Sequence, residues 1–215
     1  MRDLSECEVH LVTDRGLSKG RSTLEIVEAA ARGRVSVVQF REKHLETRDF
    51  YEEGLKIRDL LRSLGIVFIV NDRIDLALAL DADGVHLGQS DMPMETARKI
   101  LGPDKIIGLS VEEPKHINEQ AGKYANYLGV SPIFVTSTKP ELESGWGLDG
   151  LRKARSMTDL PLVAIGSINA ENAEEVINAG ADSVAVVSAI VSADDPQQAA
   201  RSLVEQVRKA KTRRS

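Results

Sequence analysis

Cysteine is almost missing from this chain: Cys7 is the only one in 215 residues, so neither an internal disulfide nor a thiolate-bound metal cluster can be built. Aromatic residues make up only 4%, and a core must therefore rest on Val, Ile, Leu and Ala. No apolar run is long enough to span a bilayer and the first residues carry no signal-peptide pattern, so a cytoplasmic location is expected. Acidic residues number 33 against 28 Lys and Arg, a formal charge of −5, which excludes a dedicated nucleic-acid-binding protein. The basic run from Arg208 to Arg214 reads as the solvated last turn and tail of a terminal helix. Also missing are a Pro/Ser-rich linker, a Gly-x-Gly-x-x-Gly fingerprint after the first strand, and any Ser/His/Asp or Cys/His set. One domain spanning residues 1–215 is expected.

What the chain does contain is alternation. Short β-branched runs are expected as strands at Val9–Thr13, Ser36–Arg41, Val67–Asn71, Gly84–Leu87, Ile106–Ser110, Tyr127–Ser131, Leu162–Ile165 and Ser183–Val187. Each is the kind of continuous apolar run that a parallel strand buried on both faces requires. Helical patterns lie between them, among them Thr23–Arg34, Thr47–Leu64 followed by Gly65, and Asn172–Ala179 followed by Gly180, with Pro196 opening the last. Eight unbroken strand–helix units without a dinucleotide fingerprint predict an α/β protein of the single (β/α)₈ TIM-barrel type rather than an open sheet.

Polar residues gather where each strand hands over to its loop, and in a barrel all those positions meet at one rim. Alternation along the second strand puts Val37, Gln39 and Arg41 on one face, with Val38 and Phe40 on the other. The apolar face suits the helices, so Gln39 and Arg41 aim into the mouth and Lys43 continues that line. Such a cluster asks for an anionic ligand, an internal salt-bridge layer being the alternative. Asp72 and Asp91 follow the third and fourth strands, and two carboxylates without thiols suit Mg²⁺ shared with substrate phosphates. Gly166–Ser167 and Val187–Ser188 end strands seven and eight, where this architecture commonly holds a phosphate. His10 and His86 read as hydrogen-bonded barrel residues, while His44 and His116 lack any partner at metal-ligand spacing.

The blocks Val38-Gln39-Phe40-Arg41-Glu42-Lys43, Val70-Asn71-Asp72-Arg73, Asp83-Gly84-Val85-His86-Leu87-Gly88-Gln89-Ser90-Asp91 and Pro132-Ile133-Phe134-Val135-Thr136-Ser137-Thr138-Lys139, with the stretch from Ala164 to Ile190, resemble the signature blocks of the thiamine phosphate synthases. The resemblance runs through nearly the whole chain in order. It implies a transferase that joins an aminopyrimidine methyl diphosphate to a thiazole phosphate with release of pyrophosphate. It further implies that Gln39, Phe40, Arg41, Glu42, Lys43, Asn71, Ser110 and Lys139 hold the pyrimidine diphosphate. By the same resemblance Asp72 and Asp91 bind Mg²⁺, while Thr136, Ser137, Thr138, Gly166, Ser167, Val187 and Ser188 hold the thiazole phosphate. Arg41, Lys43, Ser110 and Lys139 would act on the departing charge. Small-molecule substrates, no nucleic acid, no membrane and a homo-oligomer are the partner expectations. Three positions depart from the family pattern: Ser131 stands for Gly, Val135 for Pro, and Ser167 for the second Gly of a Gly-Gly-Ile turn. If that turn needs a positive φ, Ser167 is strained. The nearest rival, a thiazole tautomerase, would carry a catalytic His where Ser110 stands. A non-catalytic barrel that senses phosphorylated metabolites would have no use for the Asp pair.

Overall fold

The computed structural model describes residues 4–134 and 145–214. Within them the strands are β1 (Val9–Val12), β2 (Val37–Phe40), β3 (Val67–Asn71), β4 (Gly84–Leu87), β5 (Ile106–Val111), β6 (Tyr127–Val130), β7 (Leu162–Ile165) and β8 (Ser183–Val186). All neighbours pair in parallel and β1 pairs with β8, with Val9 opposite Val184, so the sheet closes into an eight-stranded barrel. Helices α1 (Thr23–Arg32), α2 (Thr47–Leu64), α3 (Ile74–Ala79), α4 (Met94–Leu101), α5 (Glu119–Tyr124), α6 (Gly147–Met157), α7 (Ala173–Asn178), α8 (Ser188–Val191) and α9 (Pro196–Arg214) surround it. The (β/α)₈ expectation stands.

Local chemistry explains where the helices begin and end. Ser22 caps α1 by accepting from the Glu25 N–H while Glu25 reaches back to the Ser22 N–H at 2.7 Å, a reciprocal capping box. Helix α2 stops at Gly65, whose φ of +67° ends the helix in the left-handed region. Strand alternation then sorts the core into two compartments. Val38, Phe40, Phe68, Val70, Val85, Leu87, Ile107 and Leu109 face the helices. Val37, Val67, Ile69, Ile106, Tyr127, Val163 and Ala185 fill the barrel itself. The first turn, Leu4–Glu6, closes the N-terminal end, where buried Leu4 and Cys7 join the inner compartment.

The boundaries differ slightly from expectation at the mouth, the C-terminal end of the strands. Thr13, Arg41, Ser131 and Val187 fall outside the strands there, β5 runs one residue further, to Val111, and at the opposite end Ser36 falls outside β2. At the β1–β2 rim, side chains take over from the ladder: Thr13 Oγ1 accepts from the Arg41 N–H at 2.9 Å and donates to its carbonyl at 3.2 Å.

The basic run from Arg208 forms the last turns of α9, which continues through Arg214. Arg208, Lys209, Arg213 and Arg214 are exposed there, as expected, but four of the run's cations also find partners. Arg208 pairs with Glu8 at 2.6 Å, Lys211 donates to the Cys7 carbonyl at 2.9 Å, and Arg213 pairs with Glu174 at 2.6 Å. Arg214 donates to the carbonyls of Ile177 and Ala181, both at 2.8 Å. These residues clamp the barrel floor.

Candidate active site

The second strand delivers its polar residues as its alternation requires. Gln39 is 6% exposed on the inner face. Arg41 follows at the rim, its guanidinium 3.1 Å from Asp14, a carboxylate not anticipated from the sequence because it comes from the loop after β1. Lys43 lies exposed further out. Two neighbours point elsewhere. Phe40 is fully buried on the helix side, with its ring centroid 4.2 Å from that of Phe50, so only its backbone faces the mouth's chemistry. Glu42 accepts from the Arg15 N–H at 3.1 Å and the Thr23 hydroxyl at 3.2 Å. Its carboxylate clips the β1 loop to α1 instead of joining the cations, and burial pushes its pKa up.

Asp72 and Asp91 are brought together from the ends of adjacent strands. Asp72 has φ +62°, its N–H donates to the His86 carbonyl at 2.9 Å, and Arg73 N–H closes a tight turn onto the Asn71 carbonyl at 2.7 Å. Asp tolerates the left-handed region better than most side chains, and the turn presents its carboxylate beside that of Asp91. Asp91 is fixed in turn by the Gly88 N–H, 2.6 Å from its Oδ2. Burial first, and then the charge of Asp91, raise the Asp72 pKa to about 6, while Lys43 and Arg41 pull against that rise. All four charges therefore share one field. Two adjacent carboxylates that resist joint ionisation form a pair that a proton or a cation would relieve. Among the described residues no third His, Cys, Asp or Glu joins them. Two hard oxygen donors, which leave a cation's other positions to water and phosphate oxygens, suit Mg²⁺ better than a metal that demands a full protein cage.

Behind the carboxylates lies a buried polar layer. His86 Nδ1 is 2.8 Å from the Tyr127 hydroxyl and Nε2 is 2.8 Å from Ser110 Oγ. Gln89 Nε2 donates to the Ser110 carbonyl at 2.6 Å. Deeper in, His10 Nε2 lies 3.3 Å from Ser183 Oγ, its ring edge-on to Tyr127 at 5.8 Å. Both histidines are thus hydrogen-bonded barrel residues, as expected. Burial holds them neutral, His10 with a pKa down to about 3 and His86 to about 4. Tyr127 was not singled out from the sequence. The signal was Gly108 on the neighbouring strand, where a Cβ would lie 2.1 Å from the tyrosine ring.

The turn after β7 resolves the question about Ser167. Its φ is +50°, with Gly166 before it at +118°, so serine does occupy a position that favours glycine. Gly166 itself has no substitute, since a Cβ would come within 2.9 Å of the Ile133 nitrogen. After β8, Val187 precedes the four-residue helix Ser188–Val191, whose first N–H groups have no partner within the helix. Asn71, Ser110, Gly166, Ser167, Val187 and Ser188 therefore all lie at strand ends on the mouth side with Gln39 and Arg41. Ser131, another departure, precedes Pro132 through a cis peptide bond. Val135, Thr136, Ser137, Thr138 and Lys139, and most of the Pro140–Gly147 segment, lie outside the described residues.

Charge-bearing side chains at the C-terminal rim of a closed (β/α)₈ barrel, with small residues after the last two strands, define an enzyme of the kind that binds phosphorylated substrates. Comparison with known proteins narrows this class. The family model for thiamine monophosphate synthase matches residues 9–190. A thiamine-phosphate synthase of Chloroflexus aurantiacus is 52% identical over 91% of this chain and 90% of its own length. One from Albidiferax ferrireducens is 50% identical over 95% and 94%. The solved thiamine phosphate pyrophosphorylase of Pyrococcus furiosus superposes with a TM-score of 0.87 at 39% identity, covering 96% of this chain and 98% of that one. The chain belongs to the thiamine monophosphate synthase family. It is a transferase of thiamine biosynthesis, and the reaction that names its family releases pyrophosphate.

Proposed function

We propose that the mouth joins 4-amino-2-methyl-5-hydroxymethylpyrimidine diphosphate to 4-methyl-5-(2-hydroxyethyl)thiazole phosphate by a dissociative substitution. The carrying observation is the paired Asp72 and Asp91 in the field of Arg41 and Lys43. In the reaction the pyrimidine methylene carbon–oxygen bond breaks with its electron pair leaving on pyrophosphate, and the cation left behind is stabilised by the ring amino group. The thiazole nitrogen lone pair then forms the new carbon–nitrogen bond. No protein nucleophile or strong general base is required, in keeping with neutral, buried histidines at the site's back wall.

The residues present divide that work. Asp72 and Asp91 would hold Mg²⁺, which when bound neutralises diphosphate charge. Arg41, Lys43 and Lys139 add fixed positive charge where the leaving group develops its own. Gln39, Asn71, Ser110 and the backbone from Phe40 to Glu42 orient the pyrimidine diphosphate. Thr136, Ser137, Thr138, Gly166, Ser167, Val187 and Ser188 seat the thiazole phosphate, so alignment of the two substrates supplies much of the rate. Ser110 stands where a tautomerase would need histidine, which tells against that rival. A cytoplasmic place of action fits a chain with no helix among the described residues long and apolar enough to cross a membrane.

The test mixes purified protein with both substrates and Mg²⁺ and follows thiamine phosphate by fluorescence after oxidation. Mg²⁺-dependent product that is lost in Asp91→Ala is the expected result. No product from intact substrates would sink the reading.

A further inference from the structure

A line of polar groups crosses the barrel interior and meets the proposed diphosphate site at one end only, at Ser110. It begins at Tyr127, 1% exposed at the start of β6. It passes through His86 and ends at Ser110 Oγ, with both links 2.8 Å long. Among the described residues the Tyr127 hydroxyl has no other hydrogen-bond partner.

The line has a direction. A phenol has one hydrogen to donate, and a neutral imidazole donates through one nitrogen while accepting through the other. Suppose Ser110 donated to His86 Nε2. The ring would then donate through Nδ1 to Tyr127, and the buried phenol hydrogen would face no acceptor. In the opposite sense Tyr127 donates to Nδ1, Nε2–H donates to Ser110, and every interior donor is satisfied. The one hydrogen left over is the serine's own, at the mouth. We propose that Tyr127 is a positioning residue which, through the tautomer of His86, commits Ser110 to donate its hydrogen toward the diphosphate. This rests on the reading above that Ser110 borders the pyrimidine diphosphate. A phosphate oxygen can only accept, so a serine turned the other way would present lone pairs to it. The effect is electrostatic preorganisation, a donor already aimed at the leaving group.

Nitrogen-15 NMR of the full-length protein without substrates reads the tautomer directly. His86 is expected to be protonated at Nε2 and bare at Nδ1, and the reverse assignment overturns the proposal whatever any variant does. Tyr127→Phe keeps the ring and removes the hydroxyl. It is expected to mix the two tautomers and lower kcat about tenfold, leaving KM for the thiazole phosphate unchanged. An unchanged tautomer with unchanged kcat would equally overturn it. Ser110→Ala separates the two levels. Full activity there would remove the substrate contact, and with it the donor's purpose, while an Nε2–H tautomer in the parent would leave the interior line intact.

Discussion

At the N-terminal end of the barrel every even-numbered strand is preceded by a polar residue that grips the strand before it. Ser36 Oγ accepts from the Glu8 N–H at 3.1 Å, Asp83 from Phe68 at 2.7 Å, Asn126 from Ile107 at 2.8 Å and Asp182 from Leu162 at 2.8 Å. In each case the gripping residue's own N–H also donates to a carbonyl of that odd strand or its first residue. Charges there are matched: Asp182 takes Arg155 at 2.9 Å and Arg214 at 3.4 Å. The mouth is arranged otherwise. Asp72 faces Asp91 and Lys43 stands exposed, while non-glycine residues with positive φ occur at both ends, Asp72 and Ser167 here and Arg34 and Asp81 on the floor. One end satisfies its own groups and the other holds groups that a substrate would satisfy. The floor therefore carries stability and the mouth carries function, with some stability given up there.

The largest expected effect breaks the mouth while sparing the floor. Asp72→Asn removes half of the carboxylate pair and should lower kcat/KM for thiamine phosphate formation by roughly a hundredfold to a thousandfold. Because it also removes a like-charge contact, the melting temperature at neutral pH should hold or rise. A large fall in both would mean that Asp72 is structural and that the two ends are not specialised. The complementary change is Asp182→Ala, which leaves the Leu162 N–H and the Arg155 guanidinium without their shared acceptor. It should cost about 2–4 kcal/mol in urea unfolding while kcat of the folded enzyme stays the same.

A smaller effect comes from the interior histidines that lie between the ends. Their folded pKa values, about 3 for His10 and about 4 for His86, are depressed, so the unfolded chain takes up protons first. Their contribution to stability is full above about pH 6.5 and is lost as pH falls from there toward 4 and 3, by about 1.4 kcal/mol per pH unit for each histidine. Asp72 works in the opposite sense, because its raised pKa means the folded state binds that proton more tightly. Urea unfolding across this range should show a shallower slope in His10→Gln and a steeper one in Asp72→Asn.

How much of this was legible in the sequence follows from the range of each interaction. Buried parallel strands are contiguous β-branched runs, so all eight were readable, and the alternation of Val37 and Gln39 against Val38 and Phe40 proved correct. That same alternation already conflicts with a side-chain role for Phe40 at the mouth. The basic end of α9 is exposed, as read, but its ion pairs were not legible because Glu8, Glu174 and Asp182 are distant in sequence. Basicity alone does not show what faces it. The Tyr127–His86–Ser110 line was hidden for a related reason, since it crosses three strands whose spacing carries no motif. Asp72 and Asp91 were visible as residues after strands. Their mutual repulsion was not, because it depends on the turn that swings Asp72 to positive φ.

The finest cut through the comparison is Ser167→Gly. Serine at φ +50° occupies backbone space where glycine sits without a steric penalty, so the substitution should stabilise the fold by up to about 1 kcal/mol. The Asn172 side chain bonds the Ser167 carbonyl at 3.0 Å, a contact that glycine keeps. Phosphate recognition through backbone N–H groups would also survive, and KM for the thiazole phosphate should change by less than about twofold. A thermal melt and a substrate titration check both halves. If stability rises while KM worsens severalfold, the Ser167 side chain itself touches the thiazole, and the strain at this end of the barrel is part of recognition. If neither changes, the turn relaxes freely, and the strain assigned to the mouth reduces to Asp72 alone.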